Sequence, residues 1–246
     1  MPATNESYNG YLVVASKKYS YYKLAINCLE SIKDYYPEAN LCLVTEERFC
    51  DGRERIADHV IHTQESHYRS KLWGMSQTPF DVTLYVDADM ECAHEDISTV
   101  FDLLGDNDMM FKGIPEKIWP LVKDVVFPGG MFKYCGAVCL YKSSPLVDDF
   151  MKDWYEYYKG QYGGTWWPTK EDGVTFDTDL YPYHLRQWDQ FTLWWLTEKE
   201  EKYKDLKTEL FDDDTERWNA WDELSRLNLD PKDPILVHRS GTADKS

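Results

Sequence analysis

The sequence predicts an α/β fold in which a mainly parallel central sheet is flanked by helices. Short apolar runs alternate with amphipathic segments, and this alternation is typical of doubly wound sheets. The run at 82–86 is apolar and largely β-branched or aromatic, as a buried strand requires. The chain has 246 residues, a length that suits one domain. No linker or repeat divides it, and we therefore predict a single domain over 1–246.

The elements of the first half follow from their patterns. Short segments rich in apolar and β-branched residues predict strands at 11–15, 41–45, 60–63 and 82–86. Between 22 and 32, apolar residues recur roughly on one helical face, and Pro37 ends that helix. A second helix is predicted over 68–76. No Gly-x-Gly-x-x-Gly follows the first strand and no Gly-Lys-Ser/Thr phosphate loop occurs.

The second half is read in the same way. Helices are predicted at 97–104, 145–158 and 188–196, and strands at 109–111, 134–141 and 235–238. Residues 160–183 are interpreted as a long aromatic loop and 198–214 as a charged surface segment. A glycine weakens a strand, so Gly136 indicates a close approach by a ligand or another chain.

Two carboxylates one residue apart follow the strand at 82–86. Alternate side chains of a strand point the same way, so Asp87 and Asp89 are expected to present oxygens together at the carboxyl edge of the sheet, where open α/β sheets bind ligands. Mg²⁺ or Mn²⁺ held there would bind a diphosphate. Among 44 acidic residues the Asp-x-Asp pattern recurs three times. Those pairs, 106/108, 177/179 and 212/214, do not follow a buried strand, and we interpret them as turns or solvated charge.

Composition excludes several classes of protein. The net charge is −17, and no basic cluster offsets it, which argues against nucleic acid as a partner. The six cysteines form no Cys-x-x-Cys pair, and Cys28, Cys42 and Cys139 lie within apolar runs, which suits buried, reduced thiols. The polar amino terminus and the lack of a long apolar stretch predict a cytoplasmic protein without a transmembrane segment. The aromatic residues near Gly and Pro are candidates for ligand contact; they are Trp166, Trp167, Tyr181 and Tyr183.

Six segments, taken in chain order, carry a resemblance to known enzymes. They are Tyr11-Leu-Val-Val-Ala-Ser16 with its following helix, Lys71-Leu-Trp73, Leu84-Tyr-Val-Asp-Ala-Asp89, Tyr134-Cys-Gly-Ala-Val138, Trp188-Asp-Gln190 and Val237-His-Arg-Ser-Gly241. The chain resembles a GT-A fold glycosyltransferase that uses a nucleotide sugar, most like glycosyltransferase family 8 and related viral or bacterial enzymes. The resemblance implies a nucleotide-binding half over about 11–110 and an acceptor-side half over about 111–246.

The resemblance also implies roles for individual residues. Asp87, Asp89 and His238 are the expected ligands of Mn²⁺ or Mg²⁺, with Ala88 beside the nucleotide sugar. Ala15 and Ser16 are expected to meet the base and ribose, with Tyr19 or Tyr22 stacked on the base. Lys71 is expected to pair with a phosphate or sugar oxygen. Gly241 and Lys245 correspond to the phosphate-binding carboxyl terminus, although the family's lysine position is Asp244 here.

Asp189 and Gln190 are the predicted catalytic residues. Asp189 is expected to bind sugar hydroxyls or act as a base, and the carbonyl oxygen of Gln190 is expected to face a developing oxocarbenium ion. Tyr134 and Cys135 replace the family's usual Asn and Ser/Ala, which affects the acceptor side. The predicted function is transfer of a sugar from a nucleoside-diphosphate sugar, by resemblance a UDP-sugar, to the hydroxyl of an unknown acceptor, with retention of configuration.

Three alternatives stay open from the sequence. A sugar nucleotidyltransferase also places carboxylates after a strand, but would release pyrophosphate. A catalytically silent sugar-binding module would use the aromatic loop. A glycosyltransferase acting on modified DNA bases would need to overcome the strong acidity of the chain.

Overall fold

The computed structural model describes residues 7–67, 69–113, 134–166, 188–211, 217–218, 220–221 and 233–239. Its strands are β1 (Asn9–Ala15), β2 (Leu41–Thr45), β3 (His59–His62), β4 (Val82–Val86), β5 (Met90–Cys92), β6 (Met109–Lys112), β7 (Cys135–Lys142), β8 (Thr208–Leu210), β9 (Ala220–Trp221) and β10 (Leu236–His238). Its helices are α1 (Tyr19–Tyr35), α2 (Ser70–Met75), α3 (Pro145–Gly163) and α4 (Gln190–Glu198). None of these described helices is long and apolar enough to cross a membrane.

Seven strands form the central sheet, in the order β3-β2-β1-β4-β7-β6-β8. β1 pairs in parallel with β2 on one side and with β4 on the other. Successive strands are added on one side of β1 up to β3 and on its other side from β4 onwards. Such a switch in strand order opens a crevice at the carboxyl ends of the strands. β7 runs antiparallel to both β4 and β6, so the sheet is mixed beyond β4.

Both faces of the sheet are buried under separate hydrophobic clusters. Alternate residues of β1 divide between them: Tyr11 and Val13 pack on the α1 face, whereas Leu12 and Val14 pack on the opposite face with α2 and α3. α1 buries side chains spaced three or four residues apart, as an amphipathic helix does. These two cores hold the sheet in place, and the carboxyl ends of its strands form one exposed edge.

A second, small sheet carries the carboxyl-terminal strand. Its order is β5-β10-β9, and β10 runs antiparallel to β5 with His238 opposite Met90. The backbone amide of Arg239 also donates to the carbonyl of Asp89 at 2.9 Å. This pairing brings the end of the chain back to the acidic segment after β4.

The α/β fold predicted from the sequence is confirmed, and several elements differ from the prediction. Residues 208–210 form edge strand β8 within the segment interpreted as charged surface. Residues 160–163 continue α3 rather than beginning a loop, and the segment predicted as a helix at 97–104 is a 3₁₀ helix over Glu95–Leu104. The predicted final strand is β10, which pairs in the small sheet with β5 and β9, two strands that the sequence did not predict. The prediction of a single domain stays a prediction.

Candidate active site

A cleft of about 470 Å³ lies at the carboxyl ends of β1 and β4. Its floor contains Ala15, Ser16 and the segment 87–89. The full lining is Val14, Ala15, Ser16, Lys18, Tyr21, His67, Arg69, Ser70, Lys71, Tyr85, Asp87, Ala88, Asp89, Tyr158 and Tyr162. Two of the predicted sequence motifs, the end of the first strand and the acidic pair, therefore share one cavity with Lys71.

The acidic pair occupies a turn, not the strand itself. β4 ends at Val86, and the amide of Met90 donates to the carbonyl of Asp87 at 3.1 Å. The strand-alternation argument for Asp87 and Asp89 is therefore wrong in its geometry. Both side chains still line the cleft, but they contact different partners because the turn separates them.

Asp87 belongs to a buried network of charges. Its Oδ1 accepts hydrogen bonds from the Tyr85 hydroxyl at 2.5 Å and from Lys71 Nζ at 3.1 Å. Lys71 Nζ lies 3.3 Å from Asp189 Oδ2 and donates to the carbonyl of Gly136 at 2.9 Å. Arg69 Nε lies 3.3 Å from Asp189 Oδ1. Residues from α2, the turn after β4, β7 and the start of α4 thus meet at one point.

The lack of a side chain at Gly136 allows Lys71 and Asp189 to approach the backbone of β7. A Cβ atom at Gly136 would lie 3.2 Å from Asp189 Oδ2 and 3.6 Å from Lys71 Nζ. The former distance is tighter than most ordinary contacts of a Cβ atom, so a side chain here would displace the carboxylate. The close approach predicted for this glycine is made by two side chains of the same chain.

The network keeps its groups charged. Burial alone would lower the pKa of Lys71, but the charges of Asp189 and Asp87 outweigh that effect, and the pKa is raised. Burial alone would raise the pKa of Asp189, but Lys71 and Arg69 outweigh it, and the pKa is lowered. Asp189 is only 1% exposed, and it remains an ionised carboxylate because both cations lie beside it.

Asp89 pairs with the third predicted metal ligand. Asp89 Oδ2 lies 3.2 Å from His238 Nε2. Burial alone would raise the pKa of Asp89 and lower that of His238. The hydrogen bond and the opposite charges of the two groups outweigh burial. The net pKa of Asp89 is therefore lowered and that of His238 is raised. The antiparallel register of β5 and β10 creates this pair.

The donor set suits a divalent cation in part. Two ligand atoms about 2.1 Å from an octahedral cation and at right angles lie about 3.0 Å apart, close to the distance between Asp89 and His238. Carboxylate and imidazole are suitable Mn²⁺ ligands. Asp87, however, is turned towards Lys71 and Tyr85 through Oδ1. In the described part of the chain, no three His, Cys, Asp or Glu side chains converge as a metal-binding group.

The tyrosines of α1 are arranged differently from expectation. Tyr22 is fully buried, and its hydroxyl lies 2.9 Å from Asp51 Oδ1 and 2.8 Å from Glu54 Oε2. Tyr19 is exposed, and its hydroxyl donates to Asp51 at 2.6 Å. Neither lines the cleft, whereas Tyr21 does. Ser16, as predicted, lines the cleft, and its hydroxyl lies 2.6 Å from that of Ser70.

The remaining predicted residues divide into three groups. Gln190 begins α4, and its buried Oε1 has no hydrogen-bond partner in the described residues. Trp166 packs against Tyr157, Phe191 and Trp195 and does not line the cleft. Several candidates lie outside the described residues: Trp167, Tyr181, Tyr183, Gly241 and Lys245.

Sequence reasoning did not identify several of the cleft residues, among them Arg69, His67, Tyr158 and Tyr162. Arg69 precedes Lys71 by two residues, and two cations so close together before a ligand-binding strand are a signal that could have identified it. Tyr158 and Tyr162 are one helical turn apart on α3, but nothing in their spacing indicates which face of the helix meets the cleft.

Known structures share this architecture. The galactosyltransferase LgtC, solved in complex with donor and acceptor sugar analogues, is similar over 95% of this chain and 87% of its own, with a TM-score of 0.53 and 12% identity. The glycosyltransferase GlyE of Streptococcus pneumoniae TIGR4 gives a TM-score of 0.57 and 14% identity over 95% of this chain and 54% of its own. A glycosyltransferase involved in glycosylation of the major capsid protein of PBCV-1 gives 0.53 and 11% over 95% and 93%.

The chain therefore has the GT-A fold of these glycosyltransferases. Its sequence matches no known family model and no curated protein. At these identities the likeness concerns the fold, and the chemistry has to be argued from the cleft.

Proposed function

We propose that this chain is a metal-dependent glycosyltransferase of the family 8 type, which moves a sugar from a UDP-sugar to an acceptor hydroxyl with retention of configuration. The observation that carries the proposal is the cleft at the switch point of the sheet, where the acidic segment after β4, His238 and the buried Lys71–Asp189 pair lie together. The fold shared with glycosyltransferases supports it.

The donor diphosphate is assigned to the Asp89–His238 end of the cleft. Asp89 and His238 would hold Mn²⁺ or Mg²⁺, with Asp87 as the third ligand, since the contacts described for Asp87 use only one of its two oxygens. The cation would neutralise charge on the departing nucleoside diphosphate. Ala88 lies between the two carboxylates and lines the same wall.

The nucleoside is assigned to the opening between β1 and α1. Ala15 and Ser16 line this part of the cleft, and Tyr21 supplies an aromatic ring. Lys18 lies with its Nζ 5.6 Å from the centroid of the Tyr21 ring, which adds positive charge beside the proposed base. Tyr21 thus takes the stacking role that the sequence had indicated for Tyr19 or Tyr22.

The sugar is assigned to the space beside Asp189 and Gln190. Asp189 is an ionised carboxylate directly behind Arg69 and Lys71, which line the cleft, and in this proposal it accepts hydrogen bonds from sugar hydroxyls that enter between them. The buried carbonyl oxygen of Gln190 is a further acceptor of hydrogen bonds. Lys71 positions Asp189 and Asp87 relative to each other, because its ammonium contacts both carboxylates.

A panel of nucleotide sugars tests the proposal. The protein is incubated with UDP- and GDP-sugars and Mn²⁺ or EDTA, and release of nucleoside diphosphate is measured. We expect Mn²⁺-dependent release of UDP from one UDP-sugar. Pyrophosphate in its place would indicate a nucleotidyltransferase, and no turnover above background with any donor would indicate a silent sugar-binding module.

The remaining expectations are part of the same proposal. NMR of the product's anomeric configuration distinguishes retention from inversion. A gel shift at low salt distinguishes a DNA acceptor, because binding through phosphate contacts is strongest there. The cytoplasmic location expected from the sequence stays a prediction.

A further inference from the structure

The cleft has aromatic residues on both sides of the acidic segment. Tyr21 projects from α1 and packs against the core on that face of the sheet. Tyr158 and Tyr162 belong to α3, and Tyr158 is part of the core on the opposite face. Asp87 and Asp89 follow β4, one of the central strands of the sheet. The two aromatic walls are therefore separated by the proposed metal and diphosphate site.

Tyr162 is the exposed member of the second wall. Its side chain is 37% exposed, although it lines the cleft. The His67 ring lies edge-on to it, with centroids 4.8 Å apart and planes at 87°, and the Tyr158 ring lies 6.2 Å away. Tyr158 is buried and makes a second edge contact with His67 at 5.7 Å. One exposed ring thus rests on two partners that hold its orientation.

His67 is itself fixed to the cleft. Its carbonyl accepts a hydrogen bond from the Ser16 hydroxyl at 3.1 Å, and its Nδ1 accepts one from the amide of Arg69 at 3.0 Å. Burial, together with the charges of Lys17 and Arg69, lowers the pKa of His67. The ring is therefore neutral at pH 7, and its proton is on Nε2, since Nδ1 is an acceptor.

We propose that Tyr162, supported by His67 and Tyr158, is the platform on which a neutral pyranose of a glycan acceptor stacks. This inference rests on the proposed function. Aromatic faces pack well against the apolar C–H face of a sugar, while the polar edges of the same residues hydrogen bond. The uncharged tyrosine and imidazole favour a neutral sugar.

The position of the platform assigns it to the acceptor rather than the donor. During transfer the nucleotide and the acceptor are bound at the same time, so they must occupy different parts of the cleft. With the base on the Tyr21 wall and the diphosphate at Asp89, the wall formed by α3 is the one left for the acceptor. Arg69 lines the cleft together with His67 and forms an ion pair with Asp189. The platform is therefore linked through Arg69 to the carboxylate assigned to the transferred sugar.

Binding measurements test this independently of turnover. A panel of methyl pyranosides and disaccharides (glucose, galactose, mannose, xylose, N-acetylglucosamine and lactose types) is titrated into protein saturated with UDP and Mn²⁺, and saturation-transfer NMR gives the affinity. We expect at least one probe to bind and Tyr162→Ala to weaken it about tenfold, the loss expected for one aromatic stacking contact. Tyr162→Phe should keep most of the affinity.

Tyr35→Ala is the matched control, since Tyr35 is an exposed tyrosine at the end of α1 and is absent from the cleft lining. It should bind the probes as the wild type does. Equal affinity of Tyr162→Ala and the wild type, or no binding of any probe to the wild type, would overturn the platform. So would a loss of UDP affinity in Tyr162→Ala, because the ring would then serve the donor. UDP release by the wild-type protein separately tests the proposed function.

Discussion

The ammonium of Lys71 lies between two carboxylates that come from distant parts of the chain. Asp87 follows β4, and Asp189 precedes α4, yet both are within 3.3 Å of Lys71 Nζ. Removing one partner from such a buried group leaves an uncompensated charge, which typically costs about 3–5 kcal/mol. The network is therefore a structural element as well as the wall of the proposed sugar site.

Gly136→Ala tests whether the position of Asp189 matters for turnover. The added methyl group would press on Asp189 Oδ2 and move it by a few tenths of an ångström. Because misplacement of about 1 Å can cost a hundredfold in rate, we expect roughly a tenfold fall in kcat for the best donor. Overpacking should also cost about 1–3 kcal/mol of stability.

Gly163→Ala is the control for this substitution. Nothing lies within 4 Å of a Cβ atom at Gly163, so both turnover and stability should be preserved. Circular dichroism below the unfolding temperature of each variant checks that the proteins compared are folded. Wild-type kcat in folded Gly136→Ala would contradict the positioning of Asp189 by close packing.

Asp108 illustrates an Asp-x-Asp residue with a purely structural role. Its carboxylate accepts from the Lys207 amide at 2.8 Å and lies 2.9 Å from Lys142 Nζ. Burial alone would raise the pKa of Asp108. The hydrogen bonds with Lys142 and Lys207 outweigh this effect, so the pKa of Asp108 is lowered. A lowered carboxyl pKa stabilises the folded state above the unfolded-state value of about 3.9, and this stabilisation is lost as the pH falls through the folded-state pKa.

Asp108→Asn should therefore reduce the free energy of unfolding by about 1 kcal/mol at pH 7, and by less at pH 3. Urea titrations of both proteins at the two pH values measure this difference. An effect of the same size at pH 3 and pH 7 would show that the charge of Asp108 does not contribute.

At the scale of elements, α3 supplies the wall of the cleft that carries Tyr158 and Tyr162. The helix begins after Ser144, whose hydroxyl accepts a hydrogen bond from the amide of Val147 at 3.3 Å, and Pro145 occupies its first turn. Such a cap is typical of a stable helix start. At the other end, Gly164 has φ of 72°, the left-handed conformation that commonly ends a helix.

Ser144→Ala should destabilise the protein by about 1 kcal/mol, because one amide of the first turn loses its partner. Ser144→Asp should restore most of the stability, since aspartate also caps helices. Thermal unfolding of the three proteins measures the effect. An unchanged melting temperature in Ser144→Ala would show that this hydrogen bond does not contribute.

Elements that neighbouring residues in the sequence stabilise could be predicted, whereas elements that depend on contacts between distant residues could not. β2 was predicted with its observed bounds because four of its five residues are apolar, as suits a strand whose five residues are all buried. β8 was missed because it is a three-residue edge strand, and its pattern resembles exposed chain. The small sheet was missed for a related reason, although its strand β10 was predicted: β5 has three residues and β9 only two, and their pairing at long range stabilises them.

The site shows the same division. Asp87 and Asp89 were predicted from their position after a strand, and Lys71, Ser16 and Asp189 from the family resemblance. The structure places the first four in the cleft lining and pairs Asp189 with Lys71. Their contacts were not predictable, because side-chain partners depend on the packing of distant elements. The choice of Tyr21 over Tyr19 and Tyr22 depends on where α1 begins, and a shift of one residue turns a helix by about 100°.

At the scale of the whole molecule, the topology explains why the site lies where it does. β1 and β4 are neighbours whose connections leave in opposite directions, so their carboxyl ends border an open crevice. The small sheet brings His238 to Asp89, and α3 closes the other side. A strongly acidic chain thus builds a cleft lined by Lys18, Arg69 and Lys71, which suits an anionic nucleotide.

The most direct test of this account compares Mn²⁺-dependent UDP release by the wild type, Asp89→Asn and Asp108→Asn. The two variants make the same change in two Asp-x-Asp pairs of the chain, one in the cleft and one in a structural turn. We predict that Asp89→Asn remains folded and loses Mn²⁺-dependent turnover, whereas Asp108→Asn keeps it. Wild-type turnover with Mn²⁺ in folded Asp89→Asn would contradict the assignment of the metal and the donor to this cleft.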